Sequence, residues 1–159
     1  MTYLATGSLS SSTDIGSASL FSSTYRVYKI FINHMGMSSS GELRSSFLYG
    51  GSATSGSIYD YAVYGPSSNA DLSTARSTGT TFIQITHTIS ESTTTDVSLQ
   101  ITVTTPNETL GHTITGTFKA LNSSGYSVSG NFLGSTRTQG TTGVLTGVTI
   151  TDNNTSINR

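Results

Sequence analysis

The sequence predicts an all-β protein, an antiparallel β-sandwich or barrel with about eight or nine strands. The first observation behind this prediction is that many segments alternate apolar and polar residues, as strands with one buried face do. The second is that clusters of Ser, Gly and Asn separate these segments, as turns separate strands. The third is composition, because 29 Ser, 29 Thr and 17 Gly make up 75 of the 159 residues and no stretch has the periodicity of a helix.

Four strands are predicted in the first half of the chain, at residues 15–21, 25–32, 41–49 and 58–64. Residues 1–14 before them are predicted to form an extended N-terminal arm. Residues 65–80 are predicted to be irregular, with one helical turn at residues 69–72. The strands at 25–32 and 58–64 carry large apolar or aromatic side chains on both faces. We therefore expect the core to bury one face of each and a neighbouring subunit to bury the other.

Strands with only one apolar face are predicted in the second half, at residues 81–89, 96–105, 111–121 and 126–132, with a last strand at residues 144–151. Within residues 96–105 the inward side chains are Val97, Leu99, Ile101 and Val103. Thr and Ser on the outward faces keep strand propensity high without charge. Lys and Glu, which usually protect exposed sheet edges, are scarce, so we expect partner chains to cover the edges.

The charge and composition of the chain exclude several classes of function. Charged residues make up 9% of the chain, against ~25% in an ordinary domain. The seven basic residues form no run or stripe, which excludes a nucleic-acid surface. There is no cysteine for a disulfide or a thiolate metal site, and no apolar run long enough for membrane insertion. The start of the chain lacks the features of a secretory signal, so we expect one cytoplasmically made domain over residues 1–159.

No pattern in the sequence predicts an enzyme, a cofactor or a metal site. The three histidines, His34, His87 and His112, are isolated and form neither an HxH nor an HExxH motif. His87 and His112 fall on apolar strand faces, which predicts packed histidines, and His34 falls in a predicted surface turn. There is no Gly-x-Ser-x-Gly elbow, and the eight acidic residues are too dispersed for a carboxylate pair.

Tyrosine is the one residue type enriched in a functional pattern. Tyr59, Asp60, Tyr61 and Tyr64 lie close together on one predicted strand. Aromatic rings that stack on sugars, with an acid for the sugar hydroxyls, would form a shallow sugar-binding surface. Tyrosine also suits a subunit contact, where the ring is buried and the hydroxyl finds a partner. The candidate residues for an adhesion surface or subunit interface are Tyr59, Asp60, Tyr61, Tyr64, Tyr25 and Tyr28.

Four segments resemble, in order, the strands of Ser/Gly-rich virion proteins of tailed bacteriophages of the marine type. They are STYRVYKI at 23–30, GELRSSF at 41–47, IYDY at 58–61 and LTGVTI at 145–150. The closest likeness is to tail-fibre-like and head-decoration proteins. The resemblance implies a β-sandwich of jelly-roll type that assembles as a homo-oligomer on the virion, without catalytic residues. Such chains commonly end in a further Gly-led strand, which is here either missing or supplied by a neighbouring chain.

The expected function is that of a non-enzymatic virion structural protein in a tail fibre, an appendage or a capsid decoration. Its implied roles are particle assembly and host adhesion, and its implied location is the virion, on either head or tail. The implied partners are further copies of the chain, with a trimer favoured, other virion proteins and a host-surface glycan. The alternative is a monomeric carbohydrate-binding β-sandwich module. A pilus or surface-layer subunit would share the fold class but would need an export signal.

Overall fold

The computed structural model describes residues 21–22, 24–37, 41–54, 56–66, 72–89, 96–104, 111–121, 127–137, 144–153 and 157–158. Eight strands in these ranges have seven residues or more, namely β1 (Val27–Met37), β2 (Leu43–Tyr49), β4 (Tyr59–Pro66), β5 (Leu72–Thr80), β7 (Val97–Thr104), β8 (Thr113–Leu121), β9 (Ser127–Thr136) and β10 (Leu145–Asp152). Three further strands have two residues each, namely β3 (Ser52–Ala53), β6 (Ile83–Gln84) and β11 (Ile157–Asn158). No described residue lies in a helix, so the predicted all-β class is confirmed, and no membrane-spanning helix occurs in these ranges.

The strands form two antiparallel sheets. The larger sheet has seven strands in the order β11-β1-β7-β8-β9-β4-β5. In the smaller sheet β2 is central, with β10 along one edge and β3 and β6 along the other. Buried side chains from both sheets join in one apolar core. The predicted antiparallel sandwich is therefore confirmed, and the jelly-roll type of connection stays a prediction.

Strands β7 and β8 show most directly how the sequence specifies the larger sheet. Every second side chain of β7 is buried, and Ile114, Phe118 and Ala120 of β8 are buried in the same way. Successive side chains of a strand point to opposite faces, so the Thr and Ser residues between them face outward. The strand register then aligns one inward row across the sheet, which is Ile30, Ile101, Gly116, Phe132, Val63 and Ala75.

Two glycines of the larger sheet each lie beneath the ring of a phenylalanine on the neighbouring strand. Gly116 of β8 pairs with Phe132 of β9, and Phe118 of β8 pairs with Gly130 of β9. A Cβ at Gly116 would lie 2.6 Å from Cζ of Phe132, and one at Gly130 would lie 2.6 Å from Cε1 of Phe118. Each phenylalanine ring occupies the volume that a side chain on the paired glycine would need. The ring also covers the backbone of that glycine, which no side chain of its own shields.

The segment that follows β5 corrects the one-faced strand predicted at residues 81–89. Only Ile83 and Gln84 pair as a strand there, and β6 contacts β4 and β9 of the larger sheet as well as β2. Gln84 and Thr86 were expected on a polar outward face, but both are buried. The Thr86 hydroxyl accepts a hydrogen bond from the Leu43 N–H at 3.0 Å, and the Gln84 amide donates to the Thr86 carbonyl at 2.8 Å. Because this segment pairs with β2 and also contacts β4 and β9, both of its sides are covered.

Strand β5 corrects the prediction that residues 65–80 are irregular. It pairs along β4 and forms one edge of the larger sheet. Its inward positions before the register shift hold the small residues Ser73, Ala75 and Ser77, which give no apolar alternation. Residues 69–71 of the predicted helical turn lie outside the described residues, and Leu72 begins the strand.

Two further predictions concern the first part of the chain. The arm at 1–14 and the strand at 15–21 lie outside the described residues, except for Phe21, which is buried and donates its N–H to the Thr146 carbonyl at 3.1 Å. His34 was expected in a turn, but it lies within β1. Its φ of 58° marks an irregularity in β1, where the register with β7 shifts between Ile32 and Met35.

Candidate functional site

The four candidate residues on β4 divide between the two faces of the larger sheet. Tyr59 and Tyr61 share the inward face of the strand with Val63, and Asp60 and Tyr64 share the outward face. The exposed fraction is 0% for Tyr59 and 54% for Tyr64. The structure therefore does not bring these four side chains together on one surface.

Tyr59 is a core residue, which corrects its place in a candidate adhesion surface. Its hydroxyl oxygen accepts a hydrogen bond from the Phe47 N–H at 3.0 Å, and its ring packs at 5.9 Å from the Phe47 ring. This contact joins the two sheets, because Phe47 belongs to β2 and Tyr59 to β4. Burial raises the pKa of the Tyr59 phenol above its ordinary value of 10.0, although hydrogen bonds at the hydroxyl offset part of that effect.

We expect the protein to lose stability in alkaline solution because of Tyr59. The folded chain holds the phenol neutral, so above about pH 10 the unfolded chain ionises first and the free energy of unfolding falls as the pH rises. Urea unfolding between about pH 9 and about pH 11 measures this slope. The slope should be shallower in Tyr59→Phe, and an unchanged slope in that variant would contradict the assignment to Tyr59.

Asp60 has a structural role at the edge of the sheet. Its Oδ1 atom accepts hydrogen bonds from the Gly79 N–H and from Nε of Arg137, both at 2.9 Å. Gly79 has a φ of 64°, close to the point where the register between β4 and β5 shifts. The carboxylate therefore fixes an irregular part of the β4–β5 pair through its Oδ1 atom.

Replacing Asp60 with alanine is expected to lower the free energy of unfolding by about 1 kcal/mol, because the Gly79 N–H loses its acceptor. Asp60→Asn keeps an acceptor oxygen and should cost less. Arg137→Gln removes only a partly exposed ion pair and should change the free energy of unfolding by about 0.5 kcal/mol or less. Urea unfolding of the three variants tests this order, and equal losses in all three would contradict it.

The remaining candidate tyrosines contact other parts of the chain. Tyr28 is buried, donates its hydroxyl hydrogen to the Ser22 carbonyl at 3.0 Å and packs at 4.4 Å from the Phe21 ring. Tyr25 is half-buried and meets Tyr28 edge-on at 6.0 Å. These contacts remove the Tyr28 ring from the surface, which corrects its expected role in adhesion.

Tyr61 contacts Phe82, which in turn contacts the guanidinium group of Arg44. Its half-buried ring stacks on Phe82 at 6.0 Å, and the Arg44 guanidinium lies 3.8 Å from the centre of the Phe82 ring. Burial raises the pKa of the Tyr61 phenol, and the Glu42 carboxylate adds to that effect. The stack on Phe82 holds Tyr61 away from the exposed ring of Tyr64.

The outward face of the larger sheet is the surface that Tyr64 does belong to. The strand register aligns one outward row across the sheet, which is Phe31, Gln100, Thr117, Asn131 and Tyr64. Phe31 and Tyr64 are exposed by 58% and 54%, and the three polar side chains between them are exposed too. No hydrogen bond within the described chain occupies the Gln100 or Asn131 amide. Phe31 and Tyr64 lie four strands apart, about 19 Å at the usual strand spacing.

A groove runs over this row. Its volume is about 510 Å³, and its lining includes Phe31, Asn33, Tyr64, Gln100, Lys119 and Asn131. The amides and hydroxyls of its floor are both donors and acceptors of hydrogen bonds, and the two rings lie at the two ends of the row. We call this surface the outer groove. It has the form of a shallow binding surface with two apolar ends.

Charge on the outward face is mostly positive in the described residues. Lys119 lies in the outer groove, Lys29 lies two residues before Phe31 on β1, and Arg76 lies on the edge strand β5. All three are exposed, and none forms an ion pair with a described residue. Two described carboxylates belong to this side of the sheet. Asp60 pairs with Arg137, and Asp96, which directly precedes β7, has its Oδ2 atom 3.0 Å from Nδ1 of His34.

The histidines lie apart from one another. His112 is buried against the rings of Phe47 and Tyr49, and Nε2 of His87 lies 3.0 Å from the Ser73 carbonyl oxygen. The exposed ring of His34 lies with Nδ1 3.0 Å from Oδ2 of Asp96. Within the described ranges, no three His, Asp or Glu side chains are close enough to hold a metal ion.

Comparison with known proteins found no matching family model, no matching curated protein and no matching solved structure. The functional interpretation therefore depends on the geometry of the outer groove. Gln100, Asn131 and Lys119 are not recognisable as functional candidates in the sequence, because each looks like an ordinary polar residue on the solvent face of a strand. The sequence points to two residues of the groove: Tyr64 is a predicted candidate, and Phe31 is an aromatic residue on a strand that already has an apolar face of Tyr28, Ile30 and Ile32.

Proposed function

We propose that the chain is a non-enzymatic structural protein of a bacteriophage virion, in a tail fibre, an appendage or a capsid decoration, with roles in assembly and host adhesion. The observation that carries this proposal is the uncovered outer groove. There, two aromatic rings exposed by more than half flank amides and hydroxyls without partners in the described chain. Exposed rings beside available polar groups are typical of a surface that binds a partner.

The resemblance of residues 41–47 and 58–61 to Ser/Gly-rich virion proteins supports the virion part of the proposal. The low charge supports assembly as a homo-oligomer, with a trimer favoured. Edge strand β5 has Arg76 as its single charged residue, and edges with few charges pair readily with other chains. Multi-angle light scattering should give about three times the 16.6 kDa mass of one chain.

Mass spectrometry of purified virus particles that encode the chain tests the virion assignment. We expect the chain to be a stoichiometric component that stays with the particles through density-gradient purification and salt washing. A comparable signal from the non-particulate fraction alone would contradict the assignment. The major capsid protein, measured in the same samples, serves as the reference for stoichiometry.

A monomeric carbohydrate-binding module is the second candidate, and the outer groove favours it. Such a module needs no second copy, because both aromatic rings and the polar floor come from one chain. Light scattering separates the two candidates. A stable monomer at micromolar concentration that binds a glycan would favour the module, and a trimer found on particles would favour the virion protein.

A further inference from the structure

We propose that the outer groove binds an anionic oligosaccharide, with the anion supplied by carboxylate or sulfate groups on the sugar chain. This inference rests on the adhesive part of the proposed function, and it names the ligand class for the same surface. Three features carry it, namely the placement of the two rings, the free polar floor and the unpaired cations.

The rings and the floor match the two kinds of surface on a sugar. The faces of Phe31 and Tyr64 suit the apolar C–H face of a sugar ring, and the Gln100 and Asn131 amides suit its hydroxyls. The rings flank the three strands β7, β8 and β9, so the floor between them spans more than a single sugar. An extended oligosaccharide fits this arrangement better than a small molecule that needs an enclosed pocket.

The cations define the charge of the ligand. The chain as a whole has a formal net charge of −1, yet its outward sheet face carries three exposed cations that pair with no described carboxylate. Lys29 and Arg76 lie on outer strands, where basic residues also protect sheet edges. Lys119 lies on β8, the fourth of the seven strands, where there is no edge to protect. Its position in the lining of the groove, without a described carboxylate partner, fits an anionic ligand.

Two other occupants fit less well. A second copy that stacked the same face in a two-fold arrangement would bring the same three cations near Lys29, Arg76 and Lys119, with unfavourable repulsion. A nucleic acid would need more basic contacts along its phosphates than three dispersed cations provide. A sugar chain with occasional negative groups is not repelled by the three cations, and it needs fewer basic contacts than a nucleic acid does.

Isothermal titration calorimetry of the full chain tests the proposal with alginate oligosaccharides, dextran sulfate, neutral dextran and polyaspartate. We expect alginate or dextran sulfate to bind at least about tenfold more tightly than neutral dextran and polyaspartate. Preference between the first two identifies carboxylate or sulfate as the anion. Lys119→Gln should weaken binding by about tenfold, and the double variant Phe31→Ala, Tyr64→Ala should lose measurable binding.

Two controls match these variants. Arg26→Gln removes an exposed positive charge outside the groove lining, and Val27→Ala shortens an exposed apolar side chain on β1 outside that lining. Both should bind as the unaltered chain does, and all variants should keep its melting temperature because the altered side chains are exposed. Failure of both anionic glycans to bind would overturn the proposal, as would equal binding of neutral dextran or unchanged binding by the double variant. Glycan binding by a chain that is missing from virus particles would contradict the virion assignment and leave this proposal standing.

Discussion

Replacing Gly116 with valine is expected to lower the free energy of unfolding by about 3 kcal/mol, because the new side chain has no space. A Cβ at this position would meet the Gln100 carbonyl oxygen and the Phe132 ring. The carbonyl belongs to the backbone of β7 and cannot rotate away, and the Phe132 ring is buried in the core. Relief therefore requires β7, β8 and β9 to separate locally.

Urea unfolding followed by circular dichroism measures this loss. Gly50→Asn is the matched control, because Gly50 has a φ of 57° that Asn tolerates, and a Cβ at Gly50 would meet no other atom within 4 Å. The Gly50→Asn control should change the free energy of unfolding by about 1 kcal/mol or less. The double variant Gly116→Val, Phe132→Leu should recover part of the loss, since the smaller side chain frees some of the volume. A loss at Gly116 no larger than at Gly50 would contradict the close ring–glycine packing.

Replacing Tyr59 with alanine is expected to lower the free energy of unfolding by about 4 kcal/mol. The change removes a fully buried ring that joins β4 to Phe47 of β2, and it leaves the Phe47 N–H without its acceptor. Tyr59→Phe keeps the ring and removes only the hydroxyl. It should cost about 1–3 kcal/mol, the range for a buried donor left unsatisfied.

Tyr64→Ala is the matched control, since the same residue type on the same strand is altered on the outward face. It should change stability by about 0.5 kcal/mol or less, as surface substitutions usually do. Equal losses at the two tyrosines would contradict the assignment of opposite faces to Tyr59 and Tyr64. Together the two variants separate a tyrosine that holds the sandwich together from one that is available to a ligand.

The sequence predicts the strands whose two faces have different surroundings. β7 and β8 alternate clearly because one face meets the core and the other meets water. Strand β5 gives no such signal, because its inward positions hold small residues at the edge of the sheet. Residues 81–89 give a misleading signal, because Gln84 and Thr86 satisfy their hydrogen bonds inside the protein and are buried like their apolar neighbours.

The candidate site was less predictable than the fold. Neighbours along β4, such as Tyr59 and Tyr64, alternate between faces, so closeness in sequence is no guide to a common surface. The outer groove draws Phe31 from β1, Gln100 from β7 and Asn131 from β9. Their alignment depends on the long-range order of the strands, in which β1 lies beside β7 and β9 lies beside β4. Strand alternation alone does not specify that order.

The outer groove connects the fold to the proposed role. Its floor is built on the central strands of the larger sheet, which pair with neighbours on both sides. Such strands hold the backbone of the groove residues in fixed positions, so no backbone ordering is needed when a ligand binds. The inward faces of the same strands form the core, so the sequence can change on the outward face with little effect on folding.

Cryo-electron microscopy of the virus particle, with the neighbours of this chain resolved, tests whether the outer groove is open to a ligand on the assembled virion. We expect the chain to contact other virion proteins or its own copies through other surfaces, while the side chains of Phe31, Lys119 and Tyr64 face the surrounding solution. A reconstruction in which the outer groove packs against the particle, or against another copy of the chain, would contradict it.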